Sequence, residues 1–169
     1  MTQPPRMPMR TFERSLPMAL LRAREAVMKK FSPALREHGL SPQQWRVIRI
    51  LVEEDALDAT DIAERCALLT PSVSRILQNL QARGLVDRRT ANDDQRRSLV
   101  SLTGAGRALF RTLSPINEAR YDYITERFGY GKLELLYELL HELVEKLDED
   151  NGAGTAHRAP DAGKGRRQA

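Results

Sequence analysis

The spacing of apolar residues along the chain predicts six helices and one β-hairpin. The first predicted helix starts near Ser15, where apolar side chains begin to recur at intervals of three and four residues. Pro17 fits only the first turn of such a helix, and Gly39 is expected to end it. The members of this apolar stripe are Leu16, Leu20, Ala23, Val27, Phe31 and Leu35.

Capping signals predict three further helices in the next part of the chain. Ser41 is expected to cap a helix that has proline at its first position and glutamine at its third. A short helix over residues 60–67 follows. The next helix, over residues 70–83, has Thr70 as its expected cap and Gly84 as its expected end. Its inward face is predicted to contain Val73, Ile76, Leu77 and Leu80.

The period of the pattern then changes from that of a helix to that of short strands. Segments 85–90 and 97–102 are compatible with β-structure, and the polar cluster 91–95 between them predicts a hairpin with a long loop. Thr103 is expected to cap a helix that continues to Phe128. This part of the chain is therefore predicted to contain the only sheet.

Two interruptions are predicted in the C-terminal part. Ser114-Pro115 is expected to bend or break the helix that contains it. The Gly-Tyr-Gly sequence at 129–131 separates that helix from a last one, which extends to residue 147. The apolar face of the last helix contains Leu133, Leu136, Leu140, Leu143, Val144 and Leu147.

The composition permits one domain with a real core and narrows the class of protein. Of the 169 residues, 41% are hydrophobic and 5% aromatic, which favours an α-rich soluble protein over a β-sandwich. Neither a membrane span nor a secretory signal is expected, and a single cysteine fits a reducing cytoplasm. No Walker loop, nucleophile elbow or zinc-ligand cluster is present, so we predict no enzyme activity, cofactor or metal.

Two short helices joined by a tight turn and followed by a hairpin predict a winged helix-turn-helix. The outward side chains of helix 70–83 are small or hydrogen-bonding, so its backbone can approach the floor of the major groove. Arg75 could bind guanine with two hydrogen bonds, and Gln78 or Asn79 could read adenine. The whole predicted face is Thr70, Pro71, Ser72, Ser74, Arg75, Gln78 and Asn79.

The hairpin, or wing, is rich in arginine. Negative potential is concentrated in a narrow minor groove, and Arg96 is expected to enter it while Asp94 orients the guanidinium or braces the turn. Arg88 and Arg97 complete the predicted contacts of the wing with DNA. The helix face or the hairpin alone is typical of solvated surface, but their order and spacing together favour binding to double-stranded DNA.

Several segments resemble the MarR family of bacterial transcription regulators. They are Asp-Ile-Ala-Glu-Arg at 61–65, Thr-Pro-Ser-Val-Ser-Arg at 70–75 and Leu-Gln-Ala-Arg-Gly-Leu-Val at 80–86. Residues 94–106 look like the wing signature of that family, an Asp-x-Arg that leads into Leu-Thr-x-x-Gly. The resemblance covers roughly residues 12–147. It implies a cytoplasmic, nucleoid-associated bacterial regulator that binds a palindromic operator as a homodimer.

The resemblance and the predicted elements together give a domain organisation. The fold class is mainly α, a winged helix-turn-helix with N- and C-terminal helices that form a dimerisation domain. A symmetric dimer would also cover the leucine face of the last helix. The predicted parts are a flexible arm (1–10), a helical dimerisation region (11–38 and 104–148), a DNA-binding domain (39–103) and a disordered tail (149–169).

A narrower similarity connects residues 15–25 and 38–49 to regulators of homoprotocatechuate-degradation operons. It implies a repressor of aromatic catabolism that a phenolic acid such as hydroxyphenylacetate releases from DNA. An aromatic wall, an imidazole and a guanidinium could hold a small aromatic carboxylate. The expected ligand residues are Arg22, Arg24, His38, Trp45 and Arg49.

Other interpretations remain open at this point. Trp45 could be a core residue and His38 a surface residue, without any ligand. The protein could respond to a different effector, could be a non-specific architectural DNA-binding protein, or could use residues 104–147 as a helical module that binds another protein. Cys66 is expected to be an inert buried residue rather than an oxidant sensor.

Overall fold

The computed structural model describes residues 11–90 and 98–153, with side chains through residue 148, and shows a mainly helical protein. After a short 3-10 turn at Phe12–Arg14, the described residues form six helices and two strands. These are α1 (Leu16–Glu37), α2 (Pro42–Glu53), α3 (Ala59–Arg65), α4 (Thr70–Ala82), β1 (Val86–Thr90), β2 (Ser98–Leu102), α5 (Gly104–Phe128) and α6 (Tyr130–Ala153). The predicted mainly α class and the predicted order of elements are confirmed. The predicted arm (1–10) lies outside the described residues.

Ser41 caps α2 as predicted. Its hydroxyl accepts a hydrogen bond from the Gln44 backbone N–H at 3.1 Å, and the Gln44 side chain accepts one from the Ser41 N–H at 2.8 Å. Gly39 and Gly84 follow α1 and α4 with φ of +65° and +68°, a conformation that glycine adopts without steric cost. These three helix-boundary predictions are therefore confirmed.

The predicted cap of α4 is wrong by one residue. Leu69 is the N-cap, because its carbonyl accepts hydrogen bonds from the N–H groups of Ser72 and Val73 at 2.9 and 3.0 Å. Thr70 is already the first residue of the helix, and no side chain caps this end. Pro71 lacks an N–H group, so the helix start has one donor fewer to satisfy.

Of the bend or break predicted at Pro115, the break is absent, since α5 is continuous through this residue. A proline inside a helix costs one backbone hydrogen bond and crowds the preceding turn. Leu113, two residues earlier, is completely buried, so this part of α5 is packed into the core. Tertiary contacts thus override the local signal.

The last helix is longer than predicted. α6 continues to Ala153, so residues 149–153, which were expected to be disordered, are helical. Extending an existing helix costs little, because each added residue gains a hydrogen bond without a new nucleation step. The rest of the predicted tail, 154–169, lies outside the described residues.

The hydrophobic core lies in the winged helix-turn-helix region and includes residues of α1 and α5. The strands are antiparallel, with Val86 opposite Leu102, and Leu57 forms an additional bridge through two hydrogen bonds to Val100 at 3.1 and 2.8 Å. This bridge ties the segment before α3 to the wing. The most deeply buried side chains are Leu35, Val47, Ile48, Leu51, Ile62, Val73, Leu77, Leu80, Val86, Val100 and Leu113.

The described residues divide into two compact units, and the second begins at Tyr121. Within it, Gly129 has a φ of +95° between α5 and α6, and the Arg127 guanidinium lies 5.2 Å from the centre of the Tyr123 ring. No described side chain of α6 is buried. None of the helices in the described ranges has the length and apolar character that crossing a membrane requires.

Candidate nucleic-acid interface

The helix-turn-helix is built from α3, a short turn and α4. The Asp58 carboxylate caps α3 by accepting hydrogen bonds from the N–H groups of Thr60 and Asp61 at 3.0 and 2.9 Å. Ala67 forms the turn with a positive φ of 49°, and the following residue, Leu68, donates to the Ala63 carbonyl at 2.9 Å. The turn therefore ends α3 abruptly and directs the chain into α4.

One face of α4 is buried, and the opposite face is presented to solvent. Val73, Leu77 and Leu80 are completely buried, and Ile76 packs partly against the same core, as predicted. This packing fixes the orientation of the helix about its axis, so its polar side chains face outward. The exposed residues are Thr70, Pro71, Ser72, Arg75, Gln78 and Asn79, with Ser74 half-buried.

The outward side chains of α4 differ in what they contact. The Ser74 hydroxyl donates to the Thr70 carbonyl one turn earlier at 3.2 Å. Neither Arg75 nor Gln78 makes a side-chain hydrogen bond or an ion pair within the described ranges. Asn79 is engaged, because its Oδ1 accepts a hydrogen bond from Gln44 Nε2 at 2.7 Å. Within the described residues, the side chains of Arg75 and Gln78 thus have no polar partner, unlike those of Ser74 and Asn79.

The described part of the wing presents two arginines. Arg89 is exposed, whereas Arg88, opposite Val100 in the strand register, is half-buried. The Arg88 Nε is buried and has no hydrogen-bond partner in the described structure. The other predicted wing residues, Asp94, Arg96 and Arg97, lie outside the described residues.

The Leu-Thr-x-x-Gly segment joins the wing to α4 and α5. The Thr103 hydroxyl donates to the Gly84 carbonyl at 2.6 Å and accepts from the Gly106 N–H at 3.1 Å. A Cβ atom on Gly106 would lie 2.2 Å from the Leu85 carbonyl oxygen, so only glycine fits there. Threonine and glycine are therefore needed where the backbone of the wing passes close to the start of α5.

The predicted ligand residues Trp45 and Arg49 lie one turn apart on α2. The Trp45 ring is buried and stacks on Phe110 of α5, with ring centres 5.6 Å apart and planes inclined by 17°. The Arg49 guanidinium lies 3.9 Å from the Glu53 carboxylate. The His38 Nδ1 is 2.9 Å from the Ala34 carbonyl oxygen, which fixes the ring at the end of α1. The interpretation of Trp45 as a packed aromatic residue therefore has direct structural support.

The other two predicted ligand residues have different neighbours. The Arg22 guanidinium lies 5.9 Å from the centre of the Phe12 ring, and Arg24 pairs with the adjacent Glu25 at 2.7 Å. Within the described part of the chain, no hydrogen bond, ion pair or ring contact joins either arginine to Trp45. The contacts of these two arginines thus differ from those of Trp45 and Arg49.

Cys66 is buried at the end of α3, as predicted. Burial raises the pKa of its thiol above the ordinary value, and the nearby Arg46 guanidinium lowers that pKa by a smaller amount. Arg46 also donates a hydrogen bond to the Cys66 carbonyl. A protonated, enclosed thiol reacts slowly with oxidants.

Three features of the site were not predicted from the sequence. Gln44 was identified only as a cap, although it also bonds to α4, and Arg83 reaches back to the α1–α2 turn. A cavity of about 550 Å³ lies beside the wing. It is lined by Asp55, Ala56, Arg89, Thr90, Leu99, Ser101, Leu102 and Arg107. For Arg83, the only signal in the sequence is that arginine has a long side chain with several hydrogen-bond donors.

Comparisons with known proteins identify relatives of this chain. The model of the MarR family matches residues 38–97. The chain is 39% identical to the HTH-type transcriptional regulator FarR of Neisseria gonorrhoeae over 145 residues, which cover 86% of this chain and 99% of FarR. It is 41% identical to the homoprotocatechuate degradative operon repressor of Escherichia coli over 130 residues, covering 77% and 88% of the two chains.

A solved structure gives the same result for the fold. The crystal structure of NadR in complex with 4-hydroxyphenylacetate superposes with a TM-score of 0.72 at 38% identity, covering 80% of this chain and 98% of NadR. These relatives are regulators, which confirms the prediction that the chain is not an enzyme. The chain belongs to the MarR family of transcriptional regulators.

Proposed function

We propose that this protein is a ligand-responsive repressor that binds a palindromic operator through α4 and the wing. The observation that carries the proposal is the exposed face of α4, on which Arg75 and Gln78 have no partner in the described chain. An arginine in the major groove can bind guanine with two hydrogen bonds, and glutamine can do the same with adenine. Arg96, with Asp94 as its support, remains the proposed minor-groove contact.

The proposed repressor acts as a homodimer. Apolar side chains of α1 and α6 are exposed in the single chain, among them Leu20, Leu21, Leu139 and Leu147. A second copy would cover such faces, because a two-fold interface brings the same patch of both chains together. Two copies of α4 would then read half-sites about one helical turn of DNA apart.

The proposed effector is a phenolic carboxylic acid. The sequence is similar to a repressor of a homoprotocatechuate operon and to NadR, whose structure contains 4-hydroxyphenylacetate. In this chain the Trp45–Phe110 stack offers aromatic surface, and Arg49, one turn from Trp45, offers a guanidinium for a carboxylate. Arg22 and Arg24 remain predicted ligand residues. Because neither makes a contact with Trp45 within the described part of one chain, they would contribute to a ligand site through the second copy of the proposed dimer.

A band-shift titration against the DNA upstream of the protein's own gene tests the proposal. We expect a discrete complex that a hundredfold excess of unrelated DNA does not displace. The reason is that such proteins bind their specific sites at least about 10³-fold more tightly than unrelated DNA. Complete displacement by unrelated DNA would instead indicate the architectural alternative. Adding 4-hydroxyphenylacetate should then release the operator, since an effector shifts the equilibrium toward the state that it binds more tightly.

The effector assignment has its own test. Arg49→Gln should retain operator binding but require much more 4-hydroxyphenylacetate for release. Arg111→Gln, a change on another helix, is the control. Release by other acids but not by phenolic ones would leave the repressor and replace the effector. Release at the same concentration in all variants would remove the proposed site beside Trp45.

A further inference from the structure

Gln44 makes two side-chain hydrogen bonds in different directions. Its Oε1 accepts from the Ser41 N–H at 2.8 Å and completes the cap of α2, while its Nε2 donates to Asn79 Oδ1 at 2.7 Å. Asn79 lies in the C-terminal half of α4, 35 residues further along the chain. One amide therefore joins the first turn of α2 to the helix that is proposed to read DNA.

Arg83, the C-cap residue of α4, contacts the same short segment. Its guanidinium donates to the Gly39 carbonyl at 2.8 Å and to the His38 carbonyl at 3.2 Å. Segment 38–44 thus holds α4 at two points, both toward the C-terminal end of the helix. The N-terminal half of α4, with Arg75, projects away from these attachments.

Segment 38–44 also ends directly before Trp45. The Ser41 cap and the Trp45–Phe110 stack together fix the first turn of α2. A ligand that displaces the Trp45 ring would displace the residue next to it in the chain. The bond from Gln44 to Asn79 would then move or break, and α4 would lose one of its two attachments to this segment.

We infer that Gln44 is a positioning residue, which sets the orientation of α4 for DNA through its bond to Asn79. Through the same bond, the binding of a ligand beside Trp45 changes the orientation of α4. This second part of the inference rests on the proposed function. The inference changes the predicted task of Asn79. Its side-chain oxygen is used inside the protein, so Asn79 orients the recognition helix rather than reading adenine.

A double-mutant cycle tests the bond. Gln44→Ala and Asn79→Ala should each weaken operator binding by about two- to tenfold, the range that one net hydrogen bond produces. The double variant should be no weaker than either single variant, because both changes remove the same interaction. Gln81→Ala makes the same substitution in the exposed part of α4 without touching this bond, and serves as the control.

Ser41→Ala separates positioning from capping, and Gln44→Glu serves as the conservative variant that should retain both roles. Ser41→Ala removes the hydroxyl that caps α2 but leaves the bond between Gln44 and Asn79 in place. Gln44→Glu retains an acceptor for the Ser41 N–H, and its carboxylate can accept from Asn79 Nδ2 once that amide turns over. We expect Gln44→Glu to bind the operator within about twofold of the wild type, while Gln44→Ala does not.

Hydrogen exchange supplies a readout that needs neither DNA nor an effector. Backbone amides of α4 should exchange faster in Gln44→Ala and Asn79→Ala than in the wild type or in Gln81→Ala. Saturating 4-hydroxyphenylacetate should accelerate the same amides in the wild type and have less effect in the two variants. If the wild type showed no effector response, only the proposed effector and the transmission step would fail.

Four results would overturn the positioning role. One is unchanged exchange of α4 in both variants. Another is additive losses of operator affinity in the double variant. The third is a change of base preference in Asn79→Ala that Gln44→Ala does not reproduce, which would return Asn79 to base reading. Equal losses in Ser41→Ala and Gln44→Ala would assign the effect to the helix cap.

Discussion

The recognition helix α4 and the last helix α6 are both rich in leucine, but they place these side chains differently. Leu77 and Leu80 of α4 are completely buried in the core of one chain. Leu139 and Leu147 of α6 are 54% and 56% exposed. The helix-turn-helix therefore completes its core within a single chain, whereas the apolar face of α6 remains available to another surface.

This difference separates two tasks. A helix that reads DNA needs a fixed orientation, and burial of one face inside the same chain supplies it. A helix that joins two copies needs an apolar face that is exposed before association. The two regions should consequently respond differently to protein concentration and to substitution.

The largest expected effect is the contrast between Leu77→Ala and Leu140→Ala. Leu77→Ala should lower the free energy of unfolding by about 2–5 kcal/mol at every protein concentration, because it leaves a cavity in the core. Leu140→Ala should lower stability by an amount that depends on protein concentration, since its apolar surface would be lost from a dimer. Denaturant titrations at several concentrations measure both. A concentration-independent effect at Leu140 would contradict the proposed interface.

The second contrast compares two glycines at the start of α5. Gly106→Ala should destabilise the fold by up to about 3 kcal/mol, because the new methyl group would meet the Leu85 carbonyl oxygen, a backbone atom that cannot turn away. Gly104→Ala has nothing within 4 Å of the added Cβ and should be neutral or slightly stabilising in a helix. Thermal unfolding of the two variants compares them directly. Equal transition temperatures would refute the close approach.

A smaller effect is expected on the exposed face of α4. Arg75→Ala should leave the unfolding transition unchanged and reduce discrimination between the operator and a single-base variant by about 1–3 kcal/mol. Binding isotherms on both duplexes measure this difference. Glu64→Ala, an exposed change on α3, is the control for surface substitutions. Intact discrimination in Arg75→Ala would mean that another residue reads that base.

The smallest expected effect concerns the buried thiol of Cys66. Burial raises its pKa above the ordinary value of 9.0, so the folded protein holds the thiol proton more tightly than the unfolded chain does. This contribution to stability is complete below pH 9 and declines as pH rises through the thiol pKa of the folded protein. The free energy of unfolding cannot change by more than about 1.4 kcal/mol per pH unit because of one titrating group. Denaturant titrations of wild type and Cys66→Ala from pH 7 to pH 10 should diverge above pH 9, and parallel curves would disprove the shift.

Local signals in the sequence were sufficient for most of the fold. The capping box at Ser41 and the glycines after α1 and α4 act within a few residues, so their effects can be predicted without the rest of the chain. The spacing of apolar residues at helical intervals likewise predicted the buried face of α4. Where one local signal competed with packing, as at Pro115, the predicted break was wrong, and the helix continues past Leu113, which is packed into the core.

The sequence by itself determined the order of the elements, the outward face of α4 and the family to which the chain belongs. These properties depend on periodicity and on short motifs, which are readable along the chain. Only the tertiary structure decided that Asn79 is bonded to Gln44, that Trp45 stacks on Phe110 and that Gly106 has no room for a side chain. Each of these contacts joins residues about twenty or more positions apart, and their distance depends on how the helices pack rather than on any local preference.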